Sequence, residues 1–202
     1  MKKVLVASNN SGKLREIEAI LSAYGISAIP QSTYDIEDAE ETGLTFVENA
    51  LIKARHAATL TGLPAIADDS GLSVDALDGA PGVFSARYAG VGAGTAAHNR
   101  KLLSALQGVP MEQRTAHFRC VMVFLRHASD PNPLIAEGRW SGRILEEASG
   151  EGGFGYDPLF EVAGLSVSAA SLSSEVKNQQ SHRGQALRQL VDLMRGDPFL
   201  GL

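Results

Sequence analysis

With 202 residues, 44% of them hydrophobic and 20% charged, the chain is long enough for a full core and too apolar for a disordered polymer. Its 18 basic residues against 23 acidic ones give a formal net charge of −5, which excludes the basic footprint of a duplex-binding protein. A polyphosphate partner is compatible with that charge if a few cations are gathered locally and a metal is recruited.

The one cysteine, Cys120, excludes an internal disulfide and suits a reducing compartment. It lies in the apolar run Arg119-Cys120-Val121-Met122-Val123-Phe124, where a buried structural thiol is expected. After Lys2 and Lys3 the apolar stretch Val4-Leu5-Val6-Ala7 is too short for a signal-peptide core. No run elsewhere is long enough to span a membrane, so the expectation is a cytoplasmic protein with neither a membrane nor a nucleic-acid partner.

Val4 to Ala7 reads as a buried strand that enters Ser8-Asn9-Asn10-Ser11-Gly12-Lys13 and then a helix, with Leu14, Ile17, Leu21 and Tyr24 at helical spacing and Gly25 as a stop. Residues 26–30 form a second candidate strand, and 35–41 an acidic, irregular segment. Thr45-Phe46-Val47-Glu48 has capping-box spacing, so a helix is predicted from Thr45 to Gly62. Its buried stripe is Val47, Ala50, Leu51, Ala54 and Ala58, with Asn49 and Lys53 one turn apart on the opposite side. Residues 64–67 read as a strand that breaks at Asp68-Asp69-Ser70-Gly71 and resumes over 72–77. A helix is predicted near 96–106. Long strands are predicted over 114–126 and 134–145, joined by a turn at 129–133. The glycine-rich stretch 151–158 follows, and a last helix begins near Ser181 with Leu187, Leu190, Val191 and Met194 on one face. This order implies one domain, 1–202, of α/β or α+β class with a mixed sheet.

Five segments carry groups suited to chemistry. In an extended segment neighbouring side chains point to opposite faces, so Asp68 and Asp69 should do different jobs. The loop Ser8-Asn9-Asn10-Ser11-Gly12-Lys13 ends like a P-loop but lacks its first glycine, so it is no Walker A motif, yet it presents hydroxyl, amide and N–H groups with Lys13 at a helix N-terminus. Glu40 and Glu41 offer oxygen ligands of the kind Mg²⁺ prefers. Phe154, within Gly153-Phe154-Gly155-Tyr156-Asp157, could stack on a flat ring while glycine lets the backbone approach its edge. Lys177, with Ser181, His182 and Arg183, places cations at the start of the last helix, against its dipole, which an anion would relieve. His56, His98, His117 and His127 are scattered, without zinc-ligand spacing.

Taken together, these segments resemble the Ham1-like inosine triphosphate pyrophosphatase family. The matching stretches are Ser8 to Lys13, Glu41 to Ala50, Ala67 to Leu72, Pro81-Gly82 with Ser85-Ala86-Arg87-Tyr88, Gly152 to Pro158, and Lys177 with Ser181-His182-Arg183, in the family's order. Ser-Asn-Asn stands where threonine-glycine-asparagine is common in the first loop. The resemblance implies hydrolysis of ITP, dITP or XTP to the monophosphate and pyrophosphate with Mg²⁺. It also implies a long curved mixed sheet flanked by helices, two lobes with the nucleotide in a cleft between them, and a homodimer.

By the same resemblance Asp69 is the proton acceptor, Lys53 its catalytic partner, and Asp69 with Glu41 or Glu40 the metal ligands. Ser8, Asn9, Asn10, Ser11, Gly12, Lys13, Ser70, Phe154, Gly155, Tyr156, Asp157, Lys177, His182 and Arg183 would contact the nucleotide. Two alternatives stand beside this reading. One is a Maf-like nucleotide pyrophosphatase. The other is a nucleotide-binding module without turnover, which would not need Asp69 or the acidic loop.

Overall fold

The computed structural model describes residues 2–197. Six strands, Lys2–Val6 (β1), Ile26–Pro30 (β2), Ala65–Val74 (β3), Thr115–Leu125 (β4), Leu134–Ile144 (β5) and Phe160–Val162 (β6), form one sheet in the order β2-β1-β3-β4-β5-β6. β1 pairs in parallel with both β2 and β3, and β6 pairs antiparallel with β5, so the sheet is mixed as expected. The helices are Ser11–Ala23 (α1), Phe46–Thr61 (α2), Thr95–Ala105 (α3), Ser174–Gln180 (α4) and His182–Arg195 (α5).

The chain divides into two compact units. Unit 1 takes residues 2–69, 120–138 and 182–197; unit 2 takes Ser70–Arg119 and Arg139–Ser181. Each of β3, β4 and β5 carries the chain from one unit into the other.

Unit 1 buries both faces of β1. Val4 and Val6 pack with Ile17 and Leu21 of α1 and with Leu187, Leu190, Val191 and Met194 of α5. Leu5 and Ala7 point the other way, onto Ala50, Ala54, Ala57 and Ala58 of α2. A parallel strand covered on both faces is apolar at every position, which is why residues 4–7 read as an unbroken apolar run. Cys120 lies in the first of these clusters, buried as expected. Unit 2 has its own core, in which the rings of Phe118 and Phe160 lie 4.6 Å apart and those of Trp140 and Phe160 5.5 Å apart. Leu102 and Leu106, at and just beyond α3, complete it.

Three features differ from the sequence reading. β3 does not break at Asp68-Asp69 but runs ten residues through them, because both carboxylates find partners and the strand need not leave the core there. Lys177 precedes the last helix as expected but lies inside a further one, α4, a seven-residue helix capped by the Ser173 hydroxyl, which accepts from the Val176 N–H. Asn49 is not on the outer side of α2 but fully buried beside Ala50, while Val47 and Leu51 are only half-buried. The capping box at Thr45 is present, with Thr45 as the cap, and Gly62 closes the helix.

Candidate functional site

The capping box fixes α2 at its start, and that sets Asn49 and Lys53, one turn apart, against the middle of β3. Lys53 Nζ lies 2.7 Å from Glu41 Oε1 and 3.3 Å from Asp69 Oδ1. Asn49 Nδ2 donates to Asp69 Oδ2 at 3.1 Å, and its Oδ1 accepts from the Gly43 N–H at 2.8 Å. The amide thus ties the acidic segment to the strand, and Glu41 arrives beside Asp69 as a result. Glu40 is exposed, its carbonyl accepting from the Thr42 N–H. Burial pushes the Asp69 carboxyl up; Lys53 opposes that rise, and Glu41 adds to it. Burial alone would lower Lys53, but Asp69, Asp68 and Glu41 hold its ammonium above the ordinary value, so it is charged.

Asp68 turns to other partners, as strand alternation requires. Lys13 Nζ lies 2.9 Å from Asp68 Oδ2, and Arg183 Nε 3.5 Å from the same oxygen. Arg183, only 2% exposed, also pairs with Glu16 of α1. Burial would lower its pKa, but Asp68 and Glu16 keep it high. The anions that relieve the cation at the α5 N-terminus are therefore supplied by the protein itself. Close packing of that N-terminus depends on Gly138 of β5: a Cβ there would collide with the His182 carbonyl and reach within 2.8 Å of Ala186 N.

In the first loop, Asn10 caps α1, accepting from the Gly12 and Lys13 N–H groups at 3.0 and 3.1 Å. Ser8 Oγ accepts from Asn10 N, and Ser11 is exposed at the start of the helix. Asn9, at one of the two positions that depart from the family pattern, donates to Asp38 Oδ1 at 3.1 Å and so joins this loop to the acidic segment.

In unit 2 the glycine-rich stretch is held from within. Asp157 Oδ2 accepts from the Phe154 N–H at 2.8 Å and from Lys177 Nζ at 2.7 Å, and Lys177 Nζ stands 4.5 Å from the Phe154 ring centroid. Gly153, at φ +69°, lets the carboxylate come this close, because any Cβ there would meet Asp157 Oδ2. Tyr156 is buried, and its hydroxyl donates to the Ser85 carbonyl at 2.9 Å; burial pushes its pKa up. The Gly155 carbonyl accepts from Asn99 of α3 at 3.3 Å. Phe154 keeps a half-exposed ring on a pinned backbone, the requirement for a stacking platform. Ser70, half-buried, is the first residue of unit 2 on β3.

Among the described residues no group of three His, Cys, Asp or Glu side chains gathers in metal-holding geometry. The chain instead offers the Asp69–Glu41 pair, and a hard cation such as Mg²⁺ takes one or two carboxylates and completes its shell from phosphate and water. The donor chemistry therefore fits. Two residues that build the site were not among the candidate ligands. The sequence sets Asn49 beside Lys53, opposite the alanine-rich stripe, and gives Glu16 no signal beyond a carboxylate three residues after Lys13.

Residues 4–193 match the Ham1 family. A dITP/XTP pyrophosphatase of Thioalkalivibrio sulfidiphilus is 59% identical over 194 residues, covering 96% of this chain and 99% of that protein. One from Escherichia coli O157:H7 is 54% identical over 195 residues, with the same coverage. Among solved structures, a HAM1 protein from Coxiella burnetii superposes with a TM-score of 0.90 at 50% identity, covering 98% of this chain and all of the other.

Proposed function

This chain belongs to the Ham1 family, and from that premise we propose that it is a nucleoside-triphosphate pyrophosphatase acting on dITP, ITP and XTP. The observation that carries the reading is Asp69, buried in unit 1 and held by Lys53 and Asn49 with Glu41 alongside. A non-hydrolytic binding module has no use for such an arrangement. A Maf-like enzyme is disfavoured by a family match that runs nearly the length of the chain.

In this reading Asp69 and Glu41 would hold Mg²⁺, which would supply charge neutralisation at the phosphates. Asp69 orients the attacking water and accepts its proton, with Asn49 fixing the carboxylate so that one oxygen is aimed. Lys53 and Lys13 balance the triphosphate, and the α1 N-terminus adds its dipole. Phosphoryl chemistry of this kind needs positioning and charge rather than a nucleophilic side chain. Phe154 stacks on the purine, while His182 and Arg183 donate to the 6-keto oxygen. Adenine presents an amino donor at that place, and a desolvated donor facing a donor is rejected by roughly 10⁴ or more. A homodimer and a cytoplasmic location belong to the same reading, supported by the family resemblance and by the single buried Cys120.

Phosphorus NMR of the products from dITP tests the reaction type. The proposal requires monophosphate and pyrophosphate in equal amounts. Diphosphate with orthophosphate would mean that a different phosphoanhydride bond is cut.

A further inference from the structure

Three of the four carboxylate oxygens of the proposed metal pair are bonded to side chains. Asp69 Oδ1 faces Lys53 Nζ at 3.3 Å, Asp69 Oδ2 accepts from Asn49 Nδ2 at 3.1 Å, and Glu41 Oε1 faces the same Nζ at 2.7 Å. One ammonium bridges both carboxylates. We infer that Lys53 competes with the divalent ion for Asp69 and Glu41, so that the ion enters as a metal–triphosphate complex rather than loading onto the protein beforehand. This rests on the reading of Asp69 and Glu41 as the metal pair and goes on to name the form of the substrate.

The argument is one of charge and reach. Two carboxylates with one ammonium carry a single net negative charge, and an ion arriving alone must sit at contact distance from a like charge. The Lys53 side chain is only 11% exposed, so leaving both carboxylates without a new anion would strand a desolvated charge. The triphosphate supplies that anion. A lysine suits the exchange because its ammonium is a compact point charge on a flexible stem, able to swing between oxygens while the backbone of α2 stays fixed. Asn49, neutral and one turn away, keeps its hold on Asp69 Oδ2 throughout. Lys53 therefore passes from the carboxylates to the phosphates in the same event that brings the metal.

The test reads metal binding directly. Mn²⁺ is titrated into nucleotide-free protein and followed by electron paramagnetic resonance, for wild type, Lys53→Met and Lys53→Gln, with thermal melts to establish that each variant is folded. Both variants should bind Mn²⁺ at least tenfold more tightly than wild type. Lys13→Met also removes a positive charge from unit 1, one that is ion-paired with Asp68 and acts on Asp69 less than Lys53 does; it should change the affinity less than threefold. With a dITP analogue whose α–β bridge is an imido group, wild type should bind Mn²⁺ as tightly as the Lys53 variants do. Equal Mn²⁺ affinity in wild type and both Lys53 variants, or an equal gain in Lys13→Met, would overturn the competition and leave the metal pair standing. If adding Asp69→Asn to Lys53→Met leaves the tight binding intact, the metal pair itself is wrong.

Discussion

Asn49 holds Asp69 from inside the core, donating from Nδ2 to Oδ2 at 3.1 Å while its Oδ1 accepts from the Gly43 N–H at 2.8 Å. A fully buried amide with both ends used fixes the distance between the strand and the acidic segment. Asn49→Leu keeps the volume and removes both bonds. Leaving a carboxylate oxygen and a backbone N–H without that partner should cost about 1–3 kcal/mol of stability. Because the proposed catalytic carboxylate, Asp69, loses its orientation, kcat should fall at least about tenfold with KM within about threefold. Steady-state kinetics on dITP with parallel denaturant melts check both; an unchanged kcat in a folded Asn49→Leu protein would remove Asn49 from the site.

Lys177 holds Phe154, the proposed base platform, through Asp157. It pairs with Asp157 Oδ2 at 2.7 Å, and that oxygen also holds the Phe154 N–H. Lys177→Met should loosen the stacking ring and raise KM for dITP about tenfold, in line with roughly 1–2 kcal/mol of lost aromatic and charged-bond ordering. The effect on kcat should be smaller. Kinetics on dITP decide it, and a large fall in kcat at constant KM would instead place Lys177 at the reacting phosphates.

Gly138→Ala tests how α5 is seated. The added methyl would meet the His182 carbonyl and approach Ala186 N at 2.8 Å. Overpacking of this sort costs about 1–3 kcal/mol, which is a fall in Tm of roughly 2–12 °C for a chain of this length. Displacing His182 and Arg183 should also weaken discrimination against adenine, read from the ratio of kcat/KM for dITP and dATP.

Acid stability should depend on Asp130. Burial alone would push its carboxyl up, but the Arg126 and Asn132 N–H groups and the Arg126 guanidinium outweigh it and hold the pKa below the usual value. A carboxylate held low in the fold adds stability that is complete above its unfolded pKa and fades as pH falls toward the folded one. Asp130→Ala should therefore cost about 1–3 kcal/mol at pH 7. The gap to wild type should narrow below about pH 4. Urea melts at pH 7 and pH 3 measure it, and an equal gap at both values would mean that charge is not what Asp130 contributes.

Much of the scaffold could be read directly from residues. The capping box at Thr45 is a local hydrogen-bond pattern, so it survives without knowledge of tertiary contacts. β5 alternates clearly, β4 carries an apolar run from Cys120 to Leu125, and the strand expected over 26–30 is β2. The short elements escaped: β6 has three residues and α4 has seven, too few for a period to show. The course of β3 through Asp68 and Asp69 depends on Lys13, Lys53, Asn49 and Arg183, all distant in sequence, and pattern alone cannot supply such partners. The burial of Asn49 has the same origin. Its polarity argued for the outer side of α2, and only the carboxylate across from it explains why an amide lies in the core.

The central claim is that unit 1 carries a hydrolytic centre at Asp69 serving purine triphosphates that bear a 6-keto group and lack the 2-amino group of guanine. Its most direct measurement is Mg²⁺-dependent pyrophosphate release from dITP, XTP, dATP and dGTP, by wild type and by Asp69→Asn. Wild type should show kcat/KM on dITP and XTP at least about 100-fold above the other two, and Asp69→Asn should lose nearly all of that turnover. Comparable rates on all four nucleotides, or a near-wild-type rate in Asp69→Asn, would contradict it.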